Sequence, residues 1–281
     1  MSIRTKIGSL ARWIIPRPLY VKIRTIMLTP ELRARFEKLK EEKEKYNQIV
    51  VIGDSHSRFF SGATVDTEIQ VHFDENGSIN YDLGNDKRFC AFDLGPALAY
   101  NLNKTGTSVR AYEKYKTLLR MSLISGGEML ICAFGEIDIR AHVFKHIKHD
   151  EDYKEVVEII CKNYIDFLDM VRSDGIYPVV WGPIASQKDE WRDPINHPSV
   201  GSEIQRNKAT KYFNDYMRNE CKKRKYGFFS ILDQLIDKDG KTIGKYIYDK
   251  CHLGENAKVL FEPEFEKIDL GFKDMKTEEK G

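Results

Sequence analysis

Gln48-Ile49-Val50-Val51-Ile52-Gly53-Asp54-Ser55-His56 is the stretch on which the fold turns. Its first half is short, apolar and β-branched, the pattern of a buried strand. Gly53 then lets the chain turn sharply, and a small hydroxyl side chain, Ser55, follows at the strand's carboxyl end. In open α/β sheets ligands bind at those ends. Taken alone, Gly-Asp-Ser also reads as a β-turn or a helix N-cap.

A second segment near the other end gives the turn more meaning. Asp249-Lys250-Cys251-His252 supplies an acid and an imidazole three residues apart. A serine, a histidine and an aspartate are the parts of an activated hydroxyl nucleophile. Ser55 is the candidate nucleophile, His252 the candidate base, and Asp249 the group that would hold the other ring nitrogen and select the tautomer.

Between these segments, strand and helix patterns alternate, as in an α/β sheet. Further strands are expected at 69–73, 129–134, 177–181 and 228–231, and a long amphipathic helix at 152–172. A more polar helix is expected at 202–225. Residues 182–201 form a long loop holding Trp191 and His197, and a loop of this length is more often a substrate wall than a bare connection. The chain divides into a basic, amphipathic arm and charged helix (1–46), an α/β domain (47–270) and a polar C-terminal tail (271–281).

These residues carry a resemblance. Gly53-Asp54-Ser55 after the first strand, with Asp249-x-x-His252 near the end, resembles the SGNH (GDSL-type) hydrolase superfamily. The resemblance implies a three-layer α/β/α sandwich with a parallel, flavodoxin-like sheet. It implies an oxyanion hole made by the backbone N–H groups of Ser55 and Gly95, the latter in Asp93-Leu94-Gly95-Pro96. It also implies a Gly-x-Asn-Asp block, which matches Gly135-Glu136-Ile137-Asp138 at the glycine and the aspartate. The oxyanion asparagine position is Ile137, whose side chain donates nothing.

Around this framework, several polar side chains are candidates for substrate contact. Asp54 is expected at the nucleophile turn, where the resemblance makes it a fixer of turn shape. His56 reads either as a substrate contact or as an exposed turn residue. Arg140 and His142 follow a buried strand; either they serve the site, with Arg140 standing in for the absent asparagine, or they pair with Glu136 and Asp138 to fix the loop. Trp191 and His197 read either as contacts to a sugar ring or as loop anchors. Glu136, Asp138 and His142 also read as a metal site, but their spacing is not diagnostic, and no metal or other cofactor is expected.

Composition bounds the rest. The chain has 281 residues, 41% hydrophobic and 31% charged, with a formal net charge of +2. Such a balance indicates a soluble globular protein and gives no reason to expect nucleic acid as a partner. Five scattered cysteines favour reduced thiols and a cytoplasmic location. Residues 1–29 hold six basic and no acidic side chains among apolar ones. They read as a peripheral contact with the inner membrane face, or as an arm packing on the domain.

The expected function is serine ester hydrolysis of acyl esters, with O-acyl groups of a carbohydrate or glycan precursor as the substrate. The alternatives are O-acyl transfer to a sugar hydroxyl, and a weakly catalytic glycan- or anion-binding module in polysaccharide assembly.

Overall fold

The computed structural model describes residues 30–62, 68–74, 77–82, 85–145, 147, 149–195 and 197–278. The basic arm at 1–29 lies outside them. Helix α1 (Pro30–Tyr46) leads into β1 (Ile49–Gly53). Leu39 of α1 enters the core, and Lys43 ties the helix to Glu128, at 2.7 Å, just before the strand that neighbours β1.

After β1 come the short helix α2 (Arg58–Ser61), an edge hairpin of β2 (Glu68–Asp74) and β3 (Gly77–Asp82), and β4 (Phe89–Asp93). Then follow α3 (Ala111–Arg120), β5 (Met129–Ala133), α4 (Tyr153–Ser173), β6 (Tyr177–Trp181), α5 (Glu203–Arg224), β7 (Gly227–Phe229), α6 (Leu232–Leu235) and α7 (Lys258–Glu278). The sheet order is β2-β3-β4-β1-β5-β6-β7. The five strands from β4 to β7 are parallel, and the hairpin extends them antiparallel at one edge. That antiparallel edge departs from an all-parallel expectation. A hairpin pairs through a tight turn and needs no crossover helix.

Alternation along the strands builds two cores. Val50 and Ile52 join Cys90, Phe92, Leu130 and Cys132 beneath α3, α4 and α5. Val51 joins Ala91, Ile131, Val179 and Trp181 on the other face, under α2 and α7. Each Val, Ile, Leu or Phe among them contributes roughly 1.5–3 kcal/mol by leaving water. The result is an α/β/α sandwich. Helix α7 runs through Glu278, so most of the segment read as a polar tail is helical.

The order of the parallel strands places β1 between β4 and β5, so the chain leaves β1 toward one side and returns on the other. This is the topological switch point, where open α/β sheets form a crevice at the carboxyl ends. Ser55 stands there.

Candidate active site

Gly53 ends β1 against β5, and a Cβ at this position would lie 2.7 Å from the Ala133 carbonyl oxygen. Only glycine allows so close an approach. Asp54 then caps the 3₁₀ turn Ser55–Ser57, its Oδ1 accepting the His56 N–H at 2.9 Å. The turn runs on into α2, leaving the Ser55 N–H at the first helical position, where no carbonyl of the helix itself can receive it. Asp54 is fully buried, and burial pushes its carboxyl well above the usual carboxylate range. The expectation that it touches substrate is therefore corrected: it shapes the turn from beneath.

The other half of the pair comes from the loop before α7. Asp249 Oδ1 accepts the backbone N–H groups of Cys251 (3.1 Å) and His252 (2.8 Å), which folds the loop tightly around the carboxylate. Lys250 takes φ +79° to make that turn. Asp249 Oδ2 lies 2.7 Å from His252 Nδ1, and His252 Nε2 lies 2.7 Å from Ser55 Oγ. The carboxylate places the ring proton on Nδ1 and leaves the Nε2 lone pair facing the hydroxyl. Burial works against the Asp249 charge, but His252 and the two N–H groups outweigh it and hold the carboxyl well below its ordinary range. The structure thus brings Ser55, His252 and Asp249 together in the geometry of a hydroxyl, its base and the base's orienter.

Beside Ser55 and His252 opens a cleft of about 120 Å³. Phe59, Trp181, Ile184 and Leu253 wall it, each less than a tenth exposed. Arg58, Tyr248 and Lys258 add polar groups. Arg58 also binds Asp93 at 2.9 Å, and Lys258 binds the Phe60 carbonyl and Asp86. Trp181 ends a strand on the switch-point side, so the strand-end rule that marks Ser55 could have marked it too.

Three expected residues lie outside the cleft lining. Trp191 packs across Gly244 and under Lys188 and does not line the cleft, because the loop folds its indole against the 244 segment. Arg140 is 5% exposed and turned inward; its Nε donates to Glu136 Oε1 at 2.7 Å and its Nη1 to the Pro198 carbonyl at 2.8 Å. Glu136 sits one turn earlier and captures the guanidinium, so Arg140 does not replace the absent asparagine at Ser55. His142 closes the π-helical turn Asp138–His142, is half-buried and lies outside the cleft lining.

His56 does line the cleft, but its Nε2 turns to Glu136 Oε2 at 3.3 Å, close enough for charge pairing and off the line of a good hydrogen bond. Its ring lies 4.8 Å from that of His252. His197, from the long loop, places its ring 5.8 Å from His252 on an edge-on approach. Of that loop only Ile184 lines the cleft; the rest is tied down at several points, Arg206, fully buried, holding Ser186, Gln187 and Gly201, while Arg140 holds Pro198 and its carbonyl accepts the Val200 N–H.

Gly95 takes φ +88°, and its N–H donates to Asp93 Oδ1 at 2.7 Å. Lys114 donates to the carbonyl of the same peptide unit, Leu94. Asp138 accepts the N–H groups of Ala99 (2.8 Å) and Tyr100 (3.1 Å), and burial still lifts its carboxyl to about 6. With Glu136 on Arg140 and Asp138 on this backbone, those carboxylates are committed to the protein. His56, Cys251 and His252 bring donor atoms within 4.8 Å of one another. Both His252 nitrogens are already engaged, and burial pushes the Cys251 thiol far from ionising. All five cysteines are buried free thiols.

No family model matches the sequence, and no curated protein matches it. Solved structures do match in three dimensions. One is a GDSL-like lipase from Bacteroides thetaiotaomicron, with a TM-score of 0.51 and 12% identity, covering 86% of this chain and 99% of that one. Another is a protein assigned as an acylhydrolase from Bacteroides fragilis, with a TM-score of 0.51 and 11% identity, covering 81% and 87%. A third, assigned as a platelet activating factor from Streptococcus pneumonia, has a TM-score of 0.51 and 13% identity, covering 95% and 99%. At identities this low the likeness is one of architecture, and the architecture is the SGNH/GDSL hydrolase-like fold.

Proposed function

We propose that the protein is a serine ester hydrolase. The observation that carries this reading is the line from Ser55 Oγ through His252 to Asp249, with 2.7 Å at each step, opening on an apolar cleft. In the proposed reaction Ser55 Oγ attacks the ester carbonyl carbon while His252 Nε2 takes the hydroxyl proton. The tetrahedral oxyanion is met by the Ser55 N–H at the head of the turn. It collapses to an acyl-serine as the alcohol leaves with the proton from His252. Water then repeats the sequence and frees the acid.

The cleft walls suit an acyl chain. The polar groups of Arg58, Tyr248 and Glu255 support an oxygen-rich alcohol half, and we propose an acylated carbohydrate there. The same acyl-serine passed to a sugar hydroxyl would give O-acyl transfer. A serine-directed fluorophosphonate tests the core of the proposal: it should label wild type stoichiometrically, leave Ser55→Ala unlabelled and abolish hydrolysis of a generic acyl ester. Wild type that neither labels nor turns over the ester would remove the enzyme reading.

One observation favours a second reading. Gly95 N–H is taken by Asp93, and Ile137 has no donor, which leaves the oxyanion position short of partners. A module that binds acylated glycans with little hydrolysis would need no such donors. It would bind a non-cleavable ester analogue at the cleft with unchanged affinity in Ser55→Ala.

A further inference from the structure

Three charged or titratable groups form a chain that ends beside His252 without belonging to the Ser55–His252–Asp249 line. Arg140, Glu136 and His56 are 5%, 5% and 7% exposed. They form a chain: Arg140 Nε to Glu136 Oε1 at 2.7 Å, Glu136 Oε2 to His56 Nε2 at 3.3 Å, and the His56 ring to the His252 ring at 4.8 Å. Arg140 lies in a π-helical turn, a distortion that recurs at functional sites.

Stability is a poor reason for such a chain. Replacing a buried ion pair by apolar residues of similar volume is often neutral or stabilising, because both charges lose their water. The chain's place gives a better reason. Burial opposes the Glu136 charge, yet Arg140 and His56 outweigh it and hold the carboxyl well below its ordinary range. Glu136 is therefore ionised at any working pH, and a guanidinium is always charged. Two fixed, opposite charges stand one and two steps behind the imidazole that touches the base. Arg140 also holds the Pro198 carbonyl and Val200 N–H, next to His197, whose ring lies 5.8 Å from that of His252.

Resting on the reading of His252 as the base, we infer that Glu136 and Arg140 are positioning residues that act through His56. They hold the His56 ring 4.8 Å from that of His252, and their opposed charges bear, through that ring, on the proton that His252 takes up. The other groups facing His252 are Ser55 and Asp54 from the turn after β1, and His197 from the long loop. Its own loop adds Tyr248, Asp249 and Cys251.

The test is the ring titration of His252, followed by NMR in the full chain. Glu136→Gln removes the negative member and should move the midpoint down by roughly 0.5–1 pH unit. Arg140→Gln removes the positive member and should move it up. Arg140→Lys keeps the charge but gives up the fork to Pro198, and should leave the midpoint at the wild-type value. Shifts in the same direction for the two glutamine variants, or no shift in either, would overturn the inference. Should Arg140→Gln fail to fold, a downward shift in Glu136→Gln against an unmoved Arg140→Lys supports it, and an unmoved Glu136→Gln overturns it. Ester turnover on the same samples separates this from the wider reading. Opposed shifts without any turnover would uphold the electrostatic brace and remove the esterase.

Discussion

The Gly95 N–H donates to the Asp93 carboxylate across 2.7 Å, so the loop expected to supply a second oxyanion donor closes on itself. Asp93 sits beside Gly53 in register, and Arg58 binds its other oxygen. A carboxylate in that place competes with a developing oxyanion for the donor and repels it as well. Loss of one oxyanion donor costs about 10²–10³ in rate.

Asp93→Ala should therefore raise ester turnover, by roughly tenfold or more if the freed N–H reaches the oxyanion. It should also lower the melting temperature, because Arg58 loses a partner and the 93–95 turn its cap. Steady-state kinetics beside a thermal melt read both effects. A fall in turnover would show that Asp93 is needed to aim Gly95 and does not compete for it.

Ser55, His252 and Asp249 should behave as one unit. Ser55→Ala and His252→Ala should each remove nearly all turnover, and the double variant should be little worse than either. Asp249→Asn should cost roughly 10³–10⁴ in turnover, because an amide facing Nδ1 favours the wrong tautomer. Additive losses in the double variant would speak against a shared step.

The parts of this site that were legible in the sequence are those fixed by local chain geometry. Val50-Val51-Ile52, short, β-branched and closed by a glycine, reads as a buried strand, and Asp249-x-x-His252 as one short turn. The boundaries of α4 and α5 follow from apolar spacing and caps, such as Ser202 with Gln205. What was not legible depends on long-range packing. Nothing local says that Glu136 captures Arg140, that Trp191 folds onto Gly244, or that Trp181 and Phe59 meet to wall the cleft. Helix α3 and strand β4 were missed because their apolar patterns are short and set among polar residues.

Asp138 gives the fold a pH dependence of definite sign. Its carboxyl is raised to about 6, above its ordinary 3.8, by burial. Below pH 4 it is protonated in both folded and unfolded chains. As pH rises from about 4 to 6 the unfolded chain releases the proton first, so stability falls, by roughly 3 kcal/mol at most. Asp138→Asn should be less stable at pH 4, since its amide nitrogen cannot accept the second backbone N–H, and should lack this slope. Equal slopes in both proteins would assign the loss to another group, with Asp54, also raised by burial, the first to examine.

The apolar cleft makes a prediction about acyl chains. It holds roughly 120 Å³ against the apolar side chains of Phe59, Trp181, Ile184 and Leu253, a wall of limited extent for an acyl chain to cover. Each methylene that leaves water for such walls contributes about 0.8 kcal/mol, close to fourfold in kcat/KM. In a series of p-nitrophenyl esters kcat/KM should therefore climb with the first few carbons and then level or fall. Trp181 and Phe59, their rings stacked 6.1 Å apart, set the depth. Trp181→Ala should move the optimum toward longer chains while costing about 3–5 kcal/mol of stability, since the indole is a buried core member. Ile184→Phe should move it toward acetyl. An optimum that ignores both substitutions, while varying the alcohol changes kcat/KM strongly, would assign the cleft to the leaving group.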